Sequence, residues 1–245
     1  MIAFKLFRTL LTGGLLVFCI PFLTKASAYW LEVAGNGKIN QKVAVKIFYG
    51  SINDFGIRVP DKGAELDLTG SFKLFVLEED GKRSSIIISK NKDHWEGFFT
   101  PMHEGRFRII GLNDQHPVID RSAKGGISVK PVDYLYADYK VGQVTYTYPT
   151  PAQLLDIFVA DTGKLKKATI FLKGKLCPAG SKIRIFNPDN WEKELVVDDH
   201  GEVCFFPPEK GLYIIRFDWT ETDSGNFLGK VYENTRHRCN YFLLF

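Results

Sequence analysis

Apolar and polar residues alternate with a period of two along most of this chain, which is the pattern of half-buried β-strands. Val43, Val45, Ile47 and Tyr49 share one face of a predicted strand, Phe72, Leu74 and Val76 one face of the next, and Ile86 and Ile88 one face of a third. Glu79-Asp80-Gly81-Lys82 supplies a tight turn between the last two, because Asp-Gly accepts the positive φ of a hairpin turn. Residues 95–100 and 106–112 read as a further pair joined by Pro101-Met102-His103-Glu104-Gly105, and 130–148, rich in Tyr and Val, continues the pattern. No segment has the 3.6-residue period of an amphipathic helix.

Tyr148-Pro149-Thr150-Pro151 interrupts this series. Two prolines in four residues remove backbone donors and stiffen the chain, so a sheet does not easily run through them. Beyond it, strands are expected at 154–160, 169–173, 182–186, 193–197, 203–206, 212–220 and 238–244, with Tyr213, Ile215, Phe217 and Trp219 on one face of the sixth. Seven short strands separated by Gly, Pro and Asp turns predict a small β-sandwich. The expected fold class is all-β: two antiparallel β-sandwich domains, 29–148 and 149–245. A loop at 112–130, holding Asn113-Asp114, His116-Pro117 and Gly125-Gly126, breaks the first; loops of this length usually carry function or lack order.

The first 28 residues depart from the strand pattern. Lys5 and Arg8 precede an almost wholly apolar run at 9–23, and Ala26-Ser27-Ala28 offers small residues where a signal peptidase reads. The expectation is export, with cleavage after Ala28 and a periplasmic or secreted mature chain beginning at Tyr29. The apolar run falls short of the roughly 20 residues of a spanning helix, so an uncleaved anchor is the weaker reading. Phe18, before Cys19, is too large for a lipid-attachment signal.

Composition supports a folded protein: 45% of residues are hydrophobic and 14% aromatic. The net charge of +4 comes largely from the leader; losing Lys5, Arg8 and Lys25 leaves 29 basic against 28 acidic residues. A near-neutral mature chain has no electrostatic case for nucleic acid. Cys177, Cys204 and Cys239 are an odd set, compatible with a Cys177–Cys204 bridge or with three free thiols.

Catalytic signatures are missing: there is no Gly-x-Ser-x-Gly elbow, no His-Glu-x-x-His helix and no phosphate loop, and Gly35-Asn36-Gly37 reads as a turn. The chain is read as a non-enzyme. Imidazole is the commonest protein ligand for nickel, cobalt, copper and zinc, so His94, His103, His116 and His237 are the candidate metal ligands; His200 sits in a turn. His237 and Cys239 would share a strand face, and His116 lies near Asp114 and Asp120. The plain alternative for each is an ordinary surface or turn histidine. Tyr134, Tyr136, Tyr139, Tyr146 and Tyr148 form either an aromatic binding surface or core packing.

Several short motifs resemble one family. Tyr29-Trp30-Leu31-Glu32 runs into a strand at 42–49, followed by Gly97-Phe98-Phe99-Thr100-Pro101 and His116-Pro117-Val118-Ile119-Asp120. Later come Gly174-Lys175, Asn187-Pro188-Asp189-Asn190-Trp191, Asp199-His200-Gly201-Glu202-Val203, Gly211-Leu212-Tyr213 and Arg236-His237-Arg238. Together they resemble the periplasmic NikM-like domain-of-unknown-function family, once described as the periplasmic component of a cobalt or nickel transporter. The second half also resembles the transthyretin-like or carboxypeptidase-regulatory β-sandwich. The resemblance implies a non-enzymatic accessory or binding protein, nickel or cobalt as the metal, and an uptake system or receptor in the envelope as partner. The family's early histidine falls at Ser27 here, which leaves metal binding to the remaining histidines, chiefly His116 and His237. The other expectation is an envelope interaction module that binds a protein or glycan.

Overall fold

The computed structural model describes residues 27–144 and 150–245. The apolar leader up to residue 26, Tyr146, Tyr148 and the first half of the proline-rich junction lie outside the described residues. Ser27 and Ala28 already belong to the first strand, opposite Ser51 and Gly50.

The first half of the chain forms β1 (Ser27–Ala34), β2 (Val43–Ile52), β3 (Arg58–Pro60), β4 (Lys73–Leu77), β5 (Arg83–Ile86), β6 (Ile88–Lys90), β7 (Trp95–Phe99), β8 (Gly105–Asn113) and β9 (Val129–Val141). The second forms β10 (Leu155–Thr162), β11 (Leu165–Leu172), β12 (Lys175–Leu176), β13 (Lys182–Phe186), β14 (Glu192–Val196), β15 (Glu202–Phe205), β16 (Leu212–Glu221), β17 (Gly225–Phe227), β18 (Lys230–Tyr232) and β19 (Asn234–Leu244). Two 3-10 turns, Ala64–Ser71 and Ser122–Lys124, are the helical elements among the described residues.

These strands build an all-β sandwich of three layers. The central sheet has eight strands in the order β14-β13-β16-β19-β9-β8-β4-β5. A front sheet, β1-β2-β7-β6 with β3 beside β2, covers one face, and a back sheet, β10-β11-β12 with β15 beside β11, covers the other. β17 and β18 form a separate hairpin.

The central strands bury both faces, so their sequences are nearly continuous in apolar residues where a one-faced strand would alternate. Leu135, Ala137, Ile109, Ile214 and Phe242 point into the front core, where they meet Trp30, Leu31, Val45 and Ile47. Their neighbours Tyr134, Tyr136, Ile110, Ile215 and Tyr241 point into the back core, against Leu155, Ile157, Ala168 and Ile170. Tyr134 and Tyr136 are therefore packing residues, and Tyr139 packs against the front core.

Two features differ from the sequence reading. The sheets are antiparallel except that β19 runs parallel to β9, from Asn234 opposite Val129 to Phe242 opposite Ala137. This pairing joins strands from the two expected domains into one sheet. The single strand expected to hold Ile86 and Ile88 is split, with β5 pairing in the central sheet and β6 in the front sheet. Both isoleucines serve the front core, one from each layer, and the chain changes layer at the exposed Ile87. The Cys177–Cys204 bridge is not formed: all three cysteines are free, Cys177 and Cys239 buried and Cys204 exposed.

Candidate anion site

The four candidate metal ligands are held by separate local partners. His94 lies against Phe48, with Nδ1 2.8 Å from Asp93 Oδ1 and Nε2 3.2 Å from the Asn91 amide. Exposed His103 pairs with Glu78, and the Glu104 carbonyl lies 2.8 Å from its Nδ1. Half-buried His116 contacts the Pro117 carbonyl through Nδ1 at 2.8 Å. His237 is buried on β19, its Nδ1 2.9 Å from the Tyr134 hydroxyl and its ring between those of Tyr134 and Trp219. Among the described residues no three His, Cys, Asp or Glu side chains are grouped as metal ligands.

His237 does make a testable pH element. Burial lowers its pKa, against the pull of Glu221 and Asp223 and with the help of Lys173. The unfolded chain therefore takes up its proton first. The stability this group contributes is complete above the ordinary histidine value of about 6.5 and is lost as pH falls through the lower folded-state value. Melting temperature should fall between pH 7 and pH 5, and less so in His237→Gln. Equal slopes in the two proteins would rule the group out as the source.

A different cluster lies on the front face of the central sheet. That face is apolar where the front sheet covers it, through Phe186, Ile214, Leu135 and Phe242. Two residues along each strand it becomes polar or charged: Arg184 on β13, Arg216 on β16, Asn240 on β19 and Asp133 on β9. The register sets Arg184 opposite Arg216 and Arg216 opposite Asn240. In the next rung Asp218 faces Arg238, which in turn faces Asp133. Strand periodicity thus stacks guanidinium groups side by side, an arrangement that costs energy unless acids intervene.

The acids intervene only in part. Asp218 accepts from Arg184 and, at 2.6 Å, from Arg238 Nε. Burial alone would raise the Asp218 pKa, but Arg238, Arg184 and Arg216 outweigh it and hold the carboxyl below its ordinary value. Asp133 lies 3.9 Å from Arg236, and there burial wins and raises its pKa. Arg216 has only a neutral partner, donating from Nε to Asn240 Oδ1 at 2.8 Å, and among the described residues it is in no ion pair. Burial and the adjacent Arg238 and Arg184 push its pKa down to about 9 despite Asp218.

Beside this ladder lies a cavity of about 220 Å³ roofed by β1, the end of β2 and β3. Arg58, Arg184, Arg216 and Arg238 line it against a single carboxylate, Glu192. Arg58 reaches in from β3, near the Leu212 carbonyl at 3.5 Å, and burial lowers its pKa too. Guanidinium groups present fixed forks of donors that match carboxylate, sulfate and phosphate oxygens.

Two loops lie beside the cavity. The β2–β3 turn is shaped by Asn53 Oδ1, which accepts the Phe55 and Ile57 amides at 3.0 and 2.9 Å. The β13–β14 turn is shaped by Asn187 Oδ1, which accepts the Trp191 amide at 2.7 Å. They meet where the Asn190 amide donates to the Gly56 carbonyl. Gly56 is required there: its φ is +76°, and a Cβ would come within 2.6 Å of the Asp189 carbonyl oxygen. Phe55 and Trp191 remain 87% and 77% exposed at the two tips.

A larger cavity, about 580 Å³, lies between β1 and the ends of β9 and β19. Its charged lining mixes signs, with Glu32 and Asp138 against Lys140 and Lys166. The Tyr139 hydroxyl already accepts the Gly37 amide at 2.8 Å, and Lys166 donates to the Gly163 carbonyl at 2.7 Å.

The arginine ladder was readable as Arg184-x-Phe186, Ile214-x-Arg216-x-Asp218 and Arg236-x-Arg238-x-Asn240-x-Phe242. The period-two charges had no partner to point to until the strand order was known.

The sequence matches no family model and no curated protein. Among solved structures, latent dimeric PorU from Porphyromonas gingivalis is similar over 87% of this chain at 10% identity and a TM-score of 0.21, and the chain spans 20% of that protein. The pilus 2b backbone protein of group B streptococcus is similar over 76% of this chain and 82% of its own, at 10% identity and a TM-score of 0.15. Neither likeness carries an argument about this fold or its use. Among the described residues no helix is long and apolar enough to cross a membrane.

Proposed function

We propose that this is an exported, non-enzymatic binding protein whose ligand is a small anion held in the arginine-lined cavity. The observation that carries the reading is Arg216, a half-buried guanidinium in no ion pair among the described residues, whose neighbours Arg184 and Arg238 and its own burial outweigh Asp218 and Asp133, with a cavity at its side. A buried cation without a counter-ion costs stability, and chains keep one where a ligand supplies the missing charge. Export is the reading that the leader sequence supports.

The test is thermal and calorimetric. Sulfate, phosphate or a small carboxylate at a hundredfold excess over its Kd should stabilise the protein by about 2.7 kcal/mol, or roughly 5–10 °C in melting temperature. In Arg216→Gln the gain should vanish, while the ligand-free variant melts no lower than the parent. Flat titrations with all three anions would overturn the reading.

The metal-uptake role implied by the NikM-like resemblance rests on His94, His103, His116 and His237, which the structure does not group. It would be supported by stoichiometric nickel or cobalt binding that is lost in His116→Ala or His237→Ala.

A further inference from the structure

We propose that the arginine cavity and its aromatic rim together bind an acidic sugar. Its carboxylate or phosphate would sit among Arg58, Arg184, Arg216 and Arg238, and its ring would lie on Trp191. The inference rests on the anion reading and adds the class of ligand.

Three observations narrow the class. A space of about 220 Å³ is below the 300–1,000 Å³ of drug-sized pockets, and suits one ring with its substituents. Asn190 lines the cavity, and its Oδ1 is buried with no hydrogen-bond partner. Its orientation is set by the bond from Nδ2 to the Gly56 carbonyl, so the free atom is an acceptor. An acceptor beside guanidinium donors asks for a ligand that brings both an anionic group and an O–H or N–H donor. Finally, Trp191 and Phe55 stand exposed on the two loops that Asn190 ties together, with no partner covering them among the described residues. Flat aromatic rings pack against the C–H faces of a ring whose edge is polar, because such a face is apolar while its rim stays hydrated.

An anionic bilayer suits the loops less well. Asp54 and Asp189 sit beside the aromatic tips and would be repelled by a negative surface. A peptide carboxylate satisfies the arginines but needs no hydroxyl acceptor, and serves as the rival in the test.

The experiment is calorimetric titration of the protein with glucuronate, glucose 1-phosphate, glucose, hexanoate and inorganic sulfate. Glucuronate or glucose 1-phosphate should bind at least tenfold tighter than sulfate or hexanoate, with glucose giving no heat. Trp191→Ala, an exposed position that the fold does not use, should remove most of that tenfold advantage and leave sulfate affinity unchanged. Arg216→Lys should weaken every anion, since it keeps the charge and loses the fork. If sulfate binds and neither sugar binds more tightly, or if hexanoate equals glucuronate, the sugar inference fails and the anion site stands. If nothing binds, both fail.

Discussion

Asp156→Ala is expected to destabilise the protein by about 3–5 kcal/mol, a drop of roughly 6–20 °C in melting temperature. Arg108, 3% exposed on β8, extends into the back layer, where Nη2 donates to Asp156 and, at 2.7 Å, to the Ile157 carbonyl. Its guanidinium lies 3.6 Å from the Phe158 ring centre and 4.4 Å from that of Tyr136. Fully buried Asp156 also accepts the Ala152 amide at 2.8 Å and so fixes the start of β10. Removing the carboxylate leaves a cation in a dry core, with Nε and Nη1 already lacking partners. The pair itself is worth far less than its half is harmful. Arg108→Met combined with Asp156→Leu should therefore recover most of the loss. Denaturant melts of the parent and the two variants decide it; a single-variant loss below about 1 kcal/mol would show that water reaches the guanidinium.

The contrast between this pair and Arg216 explains which parts of the molecule were legible in the chain. Period-two alternation located β4, β7 and β13 to within a residue and found the start of β2, because each buries one face or ends at a clear turn. It also placed Tyr213, Ile215 and Phe217 correctly on one face. The layers were not legible. Strands such as β9 and β19 bury both faces, so their apolar runs do not say which neighbour they take, and nothing local marks the parallel pairing of Asn240 with Leu135. β3, β12, β17 and β18 are two or three residues long and too short to show a period. The arginine cluster was missed for a related reason. Histidines are conspicuous by type, and each proved to have its own local partner. The arginines are ordinary by type and become a site only because β13, β16 and β19 lie side by side. Asp156 and Arg108, 48 residues apart, were equally invisible.

Strand order also makes a strong prediction about how the chain divides. The proline-rich junction looks like a domain boundary, yet on its two sides the chain passes from β9 in the central sheet to β10 in the back sheet. A fragment of residues 150–245 would keep β16 and β19 but lose β9, and with it the parallel ladder from Asn234 to Phe242. It would also lose Ile110, Val132, Tyr134 and Tyr136 from the back core, and would expose Phe186, Ile214 and Phe242, which pack in the front core. Residues 27–144 would in turn lose the sheet neighbour that buries one edge of β9. We expect neither fragment to show a cooperative melt or dispersed amide resonances alone. Mixing them, or co-expressing them from separate messages, should restore both, since the interface is a continuous sheet and two continuous cores. A sharp unfolding transition in isolated 150–245 would mean that β19 can close its own edge. The shared sheet would then be a docking of two finished domains. If the fragments fold only together, the arginine cavity, built from β1 and β3 on one side and β13, β16 and β19 on the other, exists only where both halves are present.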